Sequence, residues 1–181
     1  MIYEDELKDE KDTPTIVQAK DPALKKSDRH KEVVAASGPT LIMDMAWGGF
    51  MDEHSQKKVI QQIQISYSFN KKADISLPII FTSVDLTWHQ LFHRVNAFQW
   101  NKKITKFEKQ DLTNIGVPKE KLVYLTADTD NVCTSLDPTK YYIIGCLLDH
   151  NSKKGVTRDF ADDAGIRKER LPIDEYITME G

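Results

Sequence analysis

The residues best suited to chemistry lie where an apolar run gives way to polar groups. The stretch from Tyr141 to Leu148 is almost wholly apolar, and it ends on Asp149, His150 and Asn151 in succession. A carboxylate with an ordinary pKa of about 3.9 is a poor base near neutrality, but burial at the end of an apolar strand disfavours its charged form and moves it toward the working range. Asp149 is therefore a candidate acid–base. Other apolar runs end in the same way: TLIM on Asp44, PIIF on Thr82, and LVYL on Thr126 with Asp128 close behind. In an open parallel sheet the ligand sits beyond the carboxyl ends of the strands. Asp44, Thr82, Thr126, Asp128, Asp149 and Asn151 would then share one rim. Any one of them alone reads as a turn residue satisfying local backbone groups; their convergence is what points to a site.

Other patterns carry less. His89 and His93 in HQLFH have the spacing of a zinc-binding helix, but Gln90 stands where a general-base Glu would be and no third ligand is evident, so no metal is expected. The two glycines of WGGF read as a turn, since neither GxGxxG nor GxxxxGK[ST] occurs. There is no GxSxG, and no Ser or Cys with convincing His and Asp partners. Basic residues cluster at Lys71–Lys72, at Lys102–Lys103, at Lys153–Lys154 with Arg158, and at Arg167–Lys168 with Arg170. Such runs are usually solvated faces.

The elements that must position these groups alternate. TLIMDM (40–45), PIIFTSV (78–84), LVYLTAD (122–128) and YYIIGCLL (141–148) read as buried strands, with short strands at ITKF (104–107) and RLPI (170–173). Val59, Ile60, Ile63 and Tyr67 recur at helical spacing among Lys and Gln, as an amphipathic helix requires. Leu91, Phe92, Val95 and Phe98 do the same, which predicts a helix from Leu86 to Phe98, and TRDFADDAG (157–165) predicts a short helix ended by Gly165. Continuously apolar strands alternating with helices imply an α/β fold, an open and mainly parallel sheet covered by helices on both faces.

Composition sets the bounds. At 181 residues the chain suits one domain, 39–181, behind a polar N-terminal arm, 1–38, whose Asp, Glu and Lys leave too little apolar surface to offset the entropy of ordering. A net charge of -3 gives no global field toward nucleic acid, so any such contact must be a local patch. Cys133 and Cys146 lie too far apart for a CxxC motif, and suit buried thiols in a reducing compartment. No apolar run approaches the length of a membrane span, and MIYEDELKDEKD is unlike a signal peptide. The expectation is a cytoplasmic or nuclear protein with no membrane contact.

Taken together, QQIQISYSFNKKA (61–73), LVYLTAD (122–128), YYIIGCLLDHNSKKGVT (141–157) and AGIRKERLPIDEYITM (164–179) resemble the tRNA (guanine-9 N1)-methyltransferase family, S-adenosylmethionine-dependent enzymes of the knotted SPOUT class. The resemblance covers about residues 40–179. It implies a SPOUT-like sheet with a C-terminal trefoil knot, incomplete within these 181 residues because the family's last helix would follow Gly181. It implies methyl transfer from S-adenosylmethionine to N1 of the purine, guanine first, at position 9 of tRNA, by a monomer. A catalytically inactive RNA-binding or scaffold relative is the alternative.

Residue by residue, the resemblance implies Asp149 as the catalytic acid–base. It places Leu125, Thr126, Gly145, Asn151, Lys154, Leu171 and Pro172 around the methyl donor, and Gln62, Asn70 and Lys71 against tRNA. Lys153 and Arg158, from the basic cluster after Asp149, join the expected RNA contacts. Cys146 stands where the family usually has a second Gly, and Ile65 where it usually has Arg. The chemistry agrees with this assignment: N1 of a neutral guanine carries a proton, so it becomes a good nucleophile only as an acceptor aimed at N1 removes that proton.

Overall fold

The structure is a computed structural model and describes residues 38–148 and 155–173. Six strands form one sheet in the order β3-β2-β1-β5-β4-β6: β1 (Thr40–Asp44), β2 (Ile79–Thr82), β3 (Thr105–Phe107), β4 (Leu122–Leu125), β5 (Tyr141–Gly145) and β6 (Arg167–Glu169). Every pairing is parallel. The expected open parallel α/β sheet is what forms.

Side-chain alternation along the strands divides the core. Met43, Ile79 and Phe81 face one side, where α1 (Glu53–Lys72) and α2 (Leu86–Arg94) cover them. Ile42, Leu122, Tyr124 and Ile143 face the other, against Ala161 of α3 (Val156–Asp163), Leu112 and Ile166. Because β1 is in register with β2 and β5, Asp44 lies beside both Thr82 and Gly145. The chain leaves β1 toward β2 on one side and leaves β5 toward β6 on the other, so the strand order reverses between β1 and β5. Such a reversal opens a crevice at the carboxyl ends.

α1 begins where the Asp52 side chain accepts a hydrogen bond from the Ser55 N–H at 2.7 Å. Its buried residues are Val59, Ile60, Ile63 and Tyr67, the four that the periodicity picks out. At its far end the Asn70 amide donates to the Leu77 carbonyl and its oxygen accepts from the Leu77 N–H, both at 2.8 Å, clasping the helix to the entry of β2.

Two expected elements differ. The second helix stops at Arg94 rather than reaching Phe98, because Asn96 takes a left-handed conformation (φ 52) and the chain re-enters a 3-10 turn at Ala97–Gln99. Asn accepts that region more readily than most residues. Phe98 still packs on Phe107 at 4.9 Å, so the apolar spacing tracks burial although the backbone breaks. The last strand is Arg167–Glu169, not RLPI: it is an edge strand paired in the sheet only with β4, where charged residues are tolerated, whereas Pro172 has no N–H to donate. Cys133 and Cys146 are buried and unpaired, as expected. The arm, apart from Gly38, and the final ITM lie outside the described residues, as does the segment that would close a knot. No helix among the described residues is long and apolar enough to cross a membrane.

Replacing Asn70 by Ala removes both hydrogen bonds to Leu77 and leaves backbone groups without their partner. We expect a loss of about 1–3 kcal/mol in stability, read by urea denaturation.

Candidate active site

The rim is organised by a buried acid. Asp44, at the end of β1, has no solvent exposure. One carboxylate oxygen accepts from the Ala46 N–H at 3.2 Å and from the Thr82 hydroxyl at 3.5 Å. The other accepts from the Tyr124 hydroxyl at 3.2 Å, and that hydroxyl in turn accepts from the Trp47 indole N–H at 3.1 Å. Phe160 of α3 packs against both rings, edge-on to Trp47 at 5.6 Å and inclined at 66° to Tyr124 at 6.0 Å. Burial raises the Asp44 pKa despite the hydrogen bonds that oppose it, of which the one from Ala46 is largest. Burial, followed by the Asp44 charge, also pushes the Tyr124 phenol well above its ordinary range.

Gly145, at the end of β5, fits against this cluster because it has no side chain. A Cβ there would lie 2.8 Å from the Tyr124 hydroxyl, 3.0 Å from the Thr157 methyl and 3.2 Å from the Trp47 indole nitrogen. One residue on, Cys146 points to the opposite face, its sulfur 4.0 Å from that of Met43 in the α1–α2 core. Burial raises its thiol pKa, so it remains protonated.

At the end of β4 the Thr126 hydroxyl is 3.3 Å from that of Thr157 in the first turn of α3. It also accepts from the Asp128 N–H at 3.3 Å, and an Asp128 carboxylate oxygen accepts from the Gly155 N–H at 3.1 Å. Gly155 is left-handed (φ 83), and a Cβ on it would collide with the Arg158 guanidinium. The Thr126 N–H donates to the Glu169 carbonyl, which brings the exit of β6 alongside.

Of the residues expected around a methyl donor, Leu125 and Thr126 close β4, Gly145 closes β5, and Leu171 and Pro172 follow β6. Since β5, β4 and β6 are neighbours, the five share one stretch of rim. Asp149, Asn151, Lys153 and Lys154 lie outside the described residues. Arg158 is on α3, paired with Asp159 at 2.8 Å. Gln62 and Lys71 are exposed on α1, but nine residues, about two and a half turns, separate them, so they leave opposite sides of the helix. The Asn70 amide is occupied by Leu77.

Tyr124, Trp47 and Thr157 are members of the cluster that the sequence did not single out. A tyrosine inside a buried strand needs a partner for its hydroxyl, and that was the available signal for Tyr124. No group of metal-binding side chains occurs among the described residues. A hollow of about 220 Å³ lined by Val123, Thr134, Tyr142, Arg167 and Glu169 does not include the expected donor residues.

The fold is an open parallel α/β sheet with a cluster of polar side chains at the carboxyl ends of its strands. Residues 3–181 match the family model for tRNA (guanine(9)-N(1))-methyltransferase TRM10/TRM10A, and the chain belongs to that family. A tRNA (guanine(9)-N1)-methyltransferase of Candida glabrata is 36% identical over 163 residues, 87% of this chain and 56% of that protein. The crystal structure of spTrm10(74) superposes with a TM-score of 0.71 at 31% identity, over 78% of this chain and 79% of that one. The full-length spTrm10–SAH complex superposes with a TM-score of 0.70 at 31% identity, over 80% of this chain and 83% of that one. The fold is thus that of the Trm10 structures, of SPOUT type. The chain spans about half the length of the curated relatives it matches.

Two outcomes test the cluster. A raised carboxyl pKa means that the folded state binds the proton more tightly, so the Asp44 contribution falls as pH rises from the ordinary value of 3.8 through the raised one. Asp44→Asn does not titrate, so its melting temperature should gain on that of the parent as pH rises through this window, in paired thermal melts. Gly145→Ala should cost about 1–3 kcal/mol by overpacking, since Tyr124 and Trp47 must shift to admit the methyl; chemical denaturation measures it.

Proposed function

We propose that this chain transfers a methyl group from S-adenosylmethionine to N1 of the purine at position 9 of tRNA, with guanine as the base. The observation that carries the reading is the sharing of one rim by the ends of β5, β4 and β6, which bear Gly145, Thr126, Leu125, Leu171 and Pro172. Membership of the family and the activity for which its relatives are named support it.

The residues present suit the donor. Leu125 is partly exposed and Leu171 is exposed, offering apolar surface for an adenine ring beside a strand end whose backbone groups can be read by its edge. Asn151 and Lys154 complete the donor set on this reading. When bound, S-adenosylmethionine supplies a methyl group carried on a cationic sulfur. Asp149 would accept the N1 proton of guanine, and the electron pair that this leaves on N1, shared with O6, would be the one that takes the methyl group. Its carboxylate also favours the cationic donor. Adenine N1 has a free lone pair and needs no such acceptor. Gln62, Lys71, Lys153 and Arg158 are the RNA contacts of the reading, with Asn70 contributing through the clasp on Leu77. The protein acts as a monomer in the cytoplasm or nucleus.

Asp149→Asn keeps the shape of the side chain but removes its basicity. Methylation of guanine at position 9, followed with labelled donor and mapped in the tRNA, should fall by about 10²–10⁴-fold. Equal rates for mutant and parent would take Asp149 out of the base role. A parent chain that binds tRNA but transfers no methyl would instead support a non-catalytic relative.

A further inference from the structure

α1 carries a stripe that the fold does not use. Lys58, Gln62, Ile65, Phe69 and Lys72 recur at intervals of four and three residues, so they line one side of the helix, away from Val59, Ile60, Ile63 and Tyr67. All five are exposed, Ile65 to 57% and Phe69 to 74%. The stripe is about 21 Å long at 1.5 Å per residue. Both of its charges are positive. The one acidic residue of the helix, Glu53, lies off the stripe and is held by Lys57 at 2.7 Å.

Two apolar side chains are too few for a stable protein interface, which buries about 800 Å² on each partner. A positive surface with an exposed aromatic ring instead matches single-stranded nucleic acid, whose phosphates meet lysines and whose unstacked bases lie on the ring. We infer that this stripe docks an RNA strand: Phe69 is the platform on which one unpaired base stacks, Lys58 and Lys72 meet phosphates on either side, and Ile65 excludes water beneath the base. In a chain of net charge -3, α1 concentrates four lysines against one glutamate, so attraction to RNA is local to this face. The inference rests on the reading that the chain acts on tRNA, and it adds the outward stripe to the RNA contacts of that reading.

Stacking and phosphate contact leave different signatures in salt. Binding of an unmodified tRNA transcript to the 181-residue chain would be measured by filter binding across a salt series, with melting curves confirming that each variant folds. Phe69→Ala should weaken binding by about 5- to 150-fold at every salt concentration, giving a line parallel to that of the parent, because stacking releases no counterions. Phe69→Trp should restore affinity. The Lys58→Ala, Lys72→Ala double variant should flatten the slope of log affinity against log salt by about 1.4, at about 0.7 for each phosphate contact on a single strand.

Parent-like binding by Phe69→Ala, or no recovery with Phe69→Trp, would overturn the stripe while leaving the tRNA reading intact. A parent chain that binds no tRNA would overturn both. A Phe69→Ala change that alters sedimentation but not tRNA affinity would reassign the stripe to contact between copies of the chain, and so would also overturn the proposal.

Discussion

A buried carboxyl group accepting from Tyr124 is the interaction on which the rest of this structure turns. Isolated in the core, Asp44 would carry a large desolvation cost. Its position is tenable because the Tyr124 hydroxyl, the Ala46 N–H and the Thr82 hydroxyl converge on it, and because Trp47 fixes the Tyr124 oxygen from behind. These donors come from β4, from the turn after β1, and from β2. One side chain thus ties together three elements that the chain visits far apart. Gly145 belongs to the same arrangement: the end of β5 lies flush against the cluster only because no methyl group intervenes.

That constraint sets where function can reside. With the ends of β1, β2 and β5 locked together, the chain leaves β5 from a fixed point, and Asp149 follows only a few residues later. On the other side Thr126 and Thr157 join the end of β4 to the start of α3, while the Glu169 carbonyl holds β6 beside them. The two halves serve different partners on the reading developed above. The β5-β4-β6 rim suits a small donor with an apolar ring, and α1, on the face of the sheet opposite α3, offers lysines and an exposed phenyl ring to a polyanion.

Much of the fold was legible because it is local. The α1 face was readable from Val59, Ile60, Ile63 and Tyr67, since periodicity needs only about a dozen neighbouring residues. The central strands were readable because burial on both faces demands continuous apolar runs. The last strand was not, since an edge strand has no such demand and RKE resembles a surface loop more than RLPI does. The end of α2 was hidden because the apolar spacing continues past Asn96 while the backbone does not. Among site residues, Asp44, Thr82, Thr126 and Asp128 were legible as strand ends. Trp47 and Tyr124 were not: they meet across 77 residues, a contact that no local pattern encodes. Cys146, standing where the family usually has a second Gly, turns its side chain into the opposite core, because a one-residue step along the chain reverses the side it faces.

Central to all of this is the proposal that the rim formed by β5, β4 and β6 holds the methyl donor. Amide hydrogen exchange of the 181-residue chain, with and without S-adenosylhomocysteine, tests it most directly. Slowed exchange is expected in three separated segments, those containing Leu125–Thr126, Gly145–Asn151 and Leu171, with α1 unchanged. Protection confined to α1 or to the hollow around Val123 and Tyr142, or no protection at saturating ligand, would contradict it.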